Sequence, residues 1–122
     1  MSCDYSKSWF HGSPLVLLEL AVGSTITQDK NLARIFSHKP SIVSNDETGN
    51  IFHNGKLDGN LYVIDEVISS EDVYLHPNTT MKPGDEWLIT RPIKIRKIQA
   101  TMPNPAEILT DEEAAELLKQ IK

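Results

Sequence analysis

The apolar residues of this chain come in short clusters, separated by Gly, Pro, Asn and Asp. This pattern is typical of a strand-rich domain. The clearest strand is 61–64, a continuous apolar run whose β-branched and aromatic residues favour burial on both faces. A short helix is predicted over 31–33, with Thr27 or Asp29 as its N-cap. Further strands are predicted at 9–13, 73–75, 86–90 and 93–100.

Three segments in the first half of the chain give weaker patterns. Residues 15–22 (LVLLELAV) fit a helical turn or a buried strand, because eight residues are too few for periodicity to decide. Pro40 presets the backbone for a helical first turn at 41–43. The stretch 44–59 is dense in Asn, Asp and Gly, and it is predicted as a long surface loop with an apolar anchor at 51–53.

The last third of the chain has the clearest periodicity. Along 93–100 apolar and charged residues alternate, and the failure of this alternation at 97–98 predicts a β-bulge or a strand end. A helix is predicted over about 111–121, because Thr110 and Glu113 form a capping box and apolar residues recur at helical spacing. We expect this helix to dock on the domain through its apolar face; the alternative is a helix that binds a partner through that face.

Together these elements predict an α+β fold. The expected architecture is a single domain with a mostly antiparallel, split β-sheet of about six short strands, a core over about 8–100 and a C-terminal helix. The length of 122 residues fits one compact domain.

Composition and charge narrow the class of protein further. Twelve Lys and Arg against 17 Asp and Glu give a net charge of −5, which argues against electrostatic binding of nucleic acid. Cys3 is the only cysteine, so a disulfide scaffold is excluded, and its place near a chain end makes it a poor candidate nucleophile. The N-terminal residues carry no apolar signal core and no apolar run approaches about 20 residues, so we expect a cytoplasmic protein that binds no membrane.

The common metal and catalytic motifs are absent from the sequence. None of the histidines stands at a spacing that metal sites use, so no metal site is expected. The chain contains neither a G-x-S-x-G nucleophile elbow nor a glycine-rich phosphate loop. The four histidines are His11, His38, His53 and His76.

A distributed set of short motifs remains. His-Gly-Ser stands at 11–13, Arg-Ile-Phe-Ser at 34–37, and Asp-Glu-Trp-Leu-Ile at 85–89 after a polar loop. With the strand and acidic residues at 61–67, these motifs resemble the ADP-ribosyltransferase superfamily, in the diphtheria-toxin and poly(ADP-ribose) polymerase branch. That branch uses a His from an H-G-[ST] strand, an aromatic residue from a second strand and a Glu from a third. The chain is similar in size to the rifampin ADP-ribosyltransferases.

The resemblance implies NAD as the substrate and Glu86 and His11 as catalytic residues. A carboxylate beside the ribose stabilises the positive charge that develops as the nicotinamide leaves. The aromatic ring of Phe36 would stack on the nicotinamide. Because Gly12 has no Cβ, the backbone at this position could approach the nicotinamide closely. The implied cofactor-binding residues are His11, Gly12, Ser13, Phe36 and Ser37.

Some positions depart from the family pattern and leave alternatives open. Phe36 stands where the family usually has Tyr, and an alternative alignment puts Ile35 there. Gly84 precludes the E-x-E motif of the arginine-modifying branch. The alternative function is a catalytically inactive domain of the same fold that binds a nucleotide or a protein. A more distant alternative is a relative of the RNA 2′-phosphotransferases, against which the acidic charge counts. The acceptor of the ADP-ribose is unknown, with a protein or small molecule favoured over nucleic acid.

Overall fold

A computed structural model gives the structure of the protein. It describes residues 4–45, 48, 50–79, 81 and 84–121, without the side chains of residues 45, 118, 120 and 121, so Cys3 lies outside the described residues. The fold is α+β, as predicted, and the described residues contain more strands than the six expected. The strands are β1 (Phe10–Ser13), β2 (Glu19–Leu20), β3 (Thr25–Ile26), β4 (Val43–Asn45), β5 (Ile51–His53), β6 (Gly59–Ile64), β7 (Val73–Leu75), β8 (Trp87–Ile89) and β9 (Ile93–Thr101). The helices are α1 (Lys30–Phe36) and α2 (Asp111–Ile121), with a 3₁₀ turn at Pro105–Glu107 before α2.

The strands form two main sheets and a hairpin. One sheet has the order β1-β6-β9-β2, the other has the order β3-β8-β7, and β4 pairs with β5. Every pairing between these strands is antiparallel. The two sheets meet at Phe10 and Thr27, which exchange hydrogen bonds of 2.7 and 3.0 Å between their backbone N–H and C=O groups. The result is a curled, split sheet that resembles half a barrel.

The hydrophobic core takes its members from both sheets. Trp9 of one sheet and Trp87 of the other meet edge to face, with ring centroids 5.6 Å apart. Full burial of a large apolar side chain contributes about 1.5–3 kcal/mol, so this cluster holds the two sheets together. Its members are Trp9, Leu20, Ile26, Tyr62, Ile64, Ile68, Val73, Trp87, Ile89, Ile93 and Ile95.

Helix α1 packs very closely on β1. Asp29 begins the helix by accepting hydrogen bonds from the N–H groups of Asn31 and Leu32, at 3.0 and 3.1 Å. A Cβ atom on Gly12 would lie 1.8 Å from the carbonyl oxygen of Ala33 in this helix. Only a glycine at this position in β1 allows the helix backbone to approach the strand.

The predicted helix caps and the predicted β-bulge, which depend on residues close together in the sequence, are confirmed. Asp29 is the N-cap of α1. Each side chain of Thr110 and Glu113 bonds the backbone N–H of the other at 3.0 Å, which is the predicted capping box before α2. The register between β6 and β9 shifts between Leu61 and Tyr62, so Ile98 is the extra residue of a β-bulge.

The apolar face of α2 is described in part. Ala114 is buried, and Leu117 is half-buried. The side chains of Leu118 and Ile121, which complete this face in the sequence, lie outside the described residues.

The predictions of a helical turn or buried strand at 15–22, of a helical turn at 41–43 and of one long loop over 44–59 are wrong. The anchor predicted at 51–53 is present, as the strand β5 with His53 fully buried. Residues 15–22 form neither a helix nor a buried strand, because only Glu19–Leu20 pairs with β9 and four large apolar side chains of the segment are exposed. The chain at 41–43 is not helical: β4 begins at Val43 and forms a hairpin with β5 where one long loop was expected. The side-chain oxygen of Asn54 accepts hydrogen bonds from the N–H groups of Ser41 and Ile42, both at 2.9 Å, and fixes the chain directly before β4.

Two histidines form a buried stacked pair beneath this hairpin. His38 and His53 are both 0% exposed, and their ring centroids lie 5.7 Å apart. His38 Nδ1 bonds the carbonyl oxygen of Leu57 at 2.7 Å, so it carries the proton, whereas His53 Nδ1 accepts the N–H of Gly55 at 3.0 Å. Burial, and secondly the neighbouring His38, lower the pKa of His53 below its ordinary value. His53 therefore favours the neutral form in the folded protein near neutral pH.

Gly12→Ala is expected to destabilise the fold, because the added Cβ would overlap the backbone of α1. The expected loss in the free energy of unfolding is about 3 kcal/mol, the upper end for overpacking, since backbone cannot move aside as a side chain can. Urea unfolding followed by circular dichroism measures it. Gly23→Ala is the control: a Cβ there meets no atom within 4 Å, and its positive φ costs about 1–2 kcal/mol. Equal losses in the two variants would contradict the close approach.

The free energy of unfolding is expected to fall as the pH drops from about 8 to about 5.5. Because the pKa of His53 is lower in the folded state than in the unfolded chain, the unfolded chain takes up the proton first. Stability is therefore complete above the unfolded pKa of about 6.5 and is lost below it, by about 1.4 kcal/mol for each unit between the two pKa values.

Urea unfolding at several pH values measures this dependence. His53→Gln should reduce the pH dependence. A pH dependence that is the same in wild type and His53→Gln would show that His53 does not cause it.

Candidate functional site

A cavity of about 230 Å³ lies where the two sheets and α1 meet. Its lining comes from β1, β3, the segment between β3 and α1, α1 itself and the residue before β8. Three side chains from distant parts of the sequence therefore border one hollow: His11, Phe36 and Glu86. The complete lining is Phe10, His11, Gly12, Thr25, Ile26, Thr27, Ala33, Phe36 and Glu86.

His11 is held as a neutral hydrogen-bond acceptor. Its Nδ1 lies 2.6 Å from the carbonyl oxygen of Thr25, and since a carbonyl can only accept, Nδ1 carries the proton. Burial lowers the pKa of His11 below its ordinary value, so the ring carries one proton at neutral pH. Its Nε2 consequently keeps a lone pair. That atom can accept a hydrogen bond from a hydroxyl group.

The backbone of Gly12 offers a second polar contact at the cavity. In the antiparallel pair of β1 and β6, alternate residues direct their N–H and C=O groups to opposite sides. Trp9 accepts from Ile64, on the β6 side, whereas Phe10 bonds Thr27 on the other side. By this alternation Gly12 directs its N–H and C=O away from β6, towards the side where β1 and β3 no longer pair. One donor and one acceptor stand there side by side.

Phe36 reaches the cavity from a helix, not from a strand. The resemblance predicts an aromatic residue on a second strand, but Phe36 is the last residue of α1 and is half-buried. The alternative residue for this position, Ile35, is fully buried and does not line the cavity. Of the two alignments, only the one with Phe36 places an aromatic ring at the site.

Glu86 stands directly before β8, and two contacts fix it. Its backbone carbonyl accepts the N–H of His76 at 3.1 Å, which extends the pairing of β7 with β8 by one residue. Its Oε1 accepts a hydrogen bond of 2.7 Å from the Thr79 hydroxyl. The other carboxylate oxygen, Oε2, has no hydrogen-bond partner among the residues that the structure describes.

Two predicted site residues do not lie at the cavity. Ser13 is buried, and its hydroxyl accepts the N–H of Leu15 at 3.1 Å. Ser37 is also buried at the C-cap of α1, where its hydroxyl bonds the carbonyl oxygen of Arg34 and the Thr101 hydroxyl. Because both hydroxyls are used in local structure, neither serine lines the site.

Gly12 has a packing role that the sequence does not predict. The place that its Cβ would take is filled by the backbone of Ala33 in α1. The contribution of Gly12 to the cavity is its backbone N–H and C=O, and the glycine is required by the packing of α1.

The electrostatics of the cavity favour a cationic or neutral ligand group. With His11 neutral, Glu86 is the single charged side chain among the lining residues that the structure describes. Most of the other lining residues are apolar or carry a hydroxyl group. The volume is below the roughly 300–1,000 Å³ of typical small-molecule sites, so the cavity suits one part of a dinucleotide and not the whole of it.

No group of three or more His, Cys, Asp or Glu residues in the described ranges is arranged to hold a metal ion. Among the described helices, none combines the length and the apolar character that crossing a membrane requires.

Comparison of the chain with protein-family models, curated proteins and solved structures finds no match.

Sequence reasoning missed the threonines of the site. Thr25 and Thr27 border the cavity, and Thr79 bonds Glu86. The pairing of β3 with β8 involves two residues on each strand, which is too short to leave a pattern in the sequence. The polar composition of 77–84 indicates a loop, but it does not show which hydroxyl faces the carboxylate.

Proposed function

We propose that this protein is an NAD-dependent mono-ADP-ribosyltransferase of the resembled superfamily, or a close relative that transfers ADP-ribose to water and so acts as an NAD glycohydrolase. The observation that supports the proposal best is the convergence of three side chains at one cavity. His11, Phe36 and Glu86 are 25 and 50 residues apart in the sequence, and they border the same hollow. The residue types match the chemistry of a cationic ring attached to a ribose.

The nicotinamide ring would occupy the part of the cavity between Gly12 and Phe36. A primary carboxamide has one acceptor oxygen and an NH₂ donor, which complement the backbone N–H and C=O of Gly12. The ring of NAD is positively charged before cleavage, and an aromatic face attracts a cation. Phe36 supplies that face without the hydroxyl of the usual tyrosine.

The ribose would lie between His11 and Glu86. His11 Nε2 accepts a hydrogen bond from a ribose hydroxyl, because the single proton of the ring is on Nδ1, where it bonds the carbonyl oxygen of Thr25. The carboxylate of Glu86 stabilises positive charge at the ribose carbon C1′ and accepts a second hydroxyl hydrogen bond.

The reaction balances with these groups alone. The bond between C1′ and the nicotinamide nitrogen breaks, and its electron pair goes to the nitrogen, so the ring leaves as neutral nicotinamide. An oxocarbenium-like ribose remains, stabilised by Glu86. The acceptor attacks C1′ with a lone pair and loses its proton to solvent.

Glu86→Gln is expected to lower nicotinamide release from NAD by about 10²-fold or more, the effect of losing one preorganised electrostatic group. Incubation of the pure protein with NAD, followed by chromatography of the products, measures the release. Binding of NAD should persist, because the amide keeps the size of the side chain. Glu71→Gln, on an exposed residue outside the cavity lining, is the matched control.

Three results would count against the proposal or part of it. No nicotinamide release by the wild-type protein would reject the transferase and the hydrolase together. If that protein still bound NAD, the alternative of a nucleotide-binding domain without catalysis would be favoured, in line with the missing tyrosine hydroxyl at Phe36. Equal release by wild type and Glu86→Gln would reject the role of Glu86.

Phe36→Leu is expected to weaken NAD binding by about 2- to 10-fold, because an aromatic contact contributes about 0.5–1.5 kcal/mol. Phe36→Tyr should bind at least as well as wild type, since it keeps the ring. Isothermal titration with NAD measures both affinities. Phe52→Leu, in β5 and away from the cavity lining, is the control. Unchanged affinity in Phe36→Leu would show that the ring does not contact the nicotinamide.

A further inference from the structure

We infer that Thr79 is a positioning residue, whose hydroxyl fixes one oxygen of the Glu86 carboxylate and leaves the other for the substrate. This inference rests on the proposed function for its catalytic consequence. The contact itself is a property of the fold. Thr79 lies outside every motif of the sequence analysis.

The direction of the hydrogen bond between the two side chains is fixed by a third group. The N–H of Met81 donates to Thr79 Oγ1 at 3.0 Å and occupies a lone pair of the hydroxyl. The single hydroxyl proton is therefore free for Glu86 Oε1, at 2.7 Å. A carboxylate oxygen can only accept, so donor and acceptor match. Hydrogen bonds to an ionised group are about twice as strong as neutral ones.

The segment that carries Thr79 is ordered by its own contacts. His76 N–H bonds the backbone carbonyl of Glu86 at 3.1 Å, and His76 Nδ1 accepts the N–H of Asn78 at 3.0 Å. Pro77 between them has a fixed φ. The backbone and the carboxylate of Glu86 are thus both held by one short segment. No ligand is needed to set this geometry.

The consequence is an oriented carboxylate. Oε1 accepts from Thr79, and Oε2 has no partner among the described residues, so Oε2 is the oxygen left fully open to a ribose hydroxyl or to the charge at C1′. Without Thr79 the carboxylate could rotate among several rotamers. Because Thr79 fixes the carboxylate of Glu86 before the substrate binds, the carboxylate does not have to reorient as the transition state forms, and the activation free energy is lower. The expected effect is on kcat, with little effect on KM.

The kinetic experiment compares wild type with Thr79→Val, Thr79→Ser and Thr90→Val, using NAD and nicotinamide release. Thr79→Val should lower kcat about 10- to 100-fold, the range for a hydrogen bond to a charged group, with KM for NAD within about twofold of wild type. Thr79→Ser keeps the hydroxyl and should restore most of kcat. Thr90 also uses its hydroxyl in a hydrogen bond, to the Glu71 carbonyl at 2.9 Å, and Thr90→Val should leave kcat unchanged. Thr79→Ala is the second variant if Thr79→Val does not fold.

The second measurement is a crystal structure of wild type, Thr79→Ser and Thr79→Val, which needs no activity. The carboxylate of Glu86 should bond the hydroxyl of residue 79 in the first two and turn away in the third. Wild-type kcat in Thr79→Val, or a wild-type crystal with Glu86 turned away from Thr79, would overturn the inference. A wild-type protein that releases no nicotinamide would overturn the proposed function, and the crystal structures would still decide the contact.

Discussion

Two backbone hydrogen bonds between Phe10 and Thr27 set the geometry of this protein. They are the point where the four-stranded and the three-stranded sheet join. The pairing does not continue along β1: the next pair in this antiparallel register would be Gly12 with Thr25, but the carbonyl oxygen of Thr25 bonds the His11 side chain instead. The two sheets therefore separate beyond Phe10. Gly12 is the next residue of β1 whose backbone N–H and C=O point away from β6, and these groups face the gap between the sheets. The candidate site is a consequence of where the pairing stops.

The same glycine serves both packing and the site. Because Gly12 has no Cβ, α1 approaches until the Ala33 carbonyl fills the place of a side chain. This approach brings the last residue of the helix, Phe36, to the edge of the gap. Any side chain at position 12 would move the helix, and with it the ring. Fold stability and site geometry are thus coupled through one position.

The sequence predicts what depends on near neighbours. His11 precedes a glycine and Glu86 precedes an apolar run, and these local signals, in chain order, are enough to nominate both residues. What brings them together is the short pairing of β3 with β8, which leaves no periodic pattern. The hairpin at 43–53 is predicted as a loop for a similar reason: it is held by distant contacts, among them the burial of His53 under the chain at His38. Sequence reasoning therefore locates the candidate side chains better than the elements that carry them, as the helical Phe36 shows.

The charge distribution in the cavity distinguishes catalysis from simple binding under the proposed function. With His11 neutral, the lining carries one carboxylate, that of Glu86. A carboxylate placed beside the cationic ring would strengthen the binding of NAD, but it would not lower the activation free energy, because the ring loses its positive charge as the bond breaks. Cleavage moves positive charge from the ring to the ribose carbon, so a carboxylate beside the ribose interacts more strongly in the transition state than in the ground state. An interaction that strengthens along the reaction is what accelerates it. A carboxylate held in place by Thr79 is in position before that charge develops, and this arrangement suits a transferase better than a passive nucleotide-binding domain.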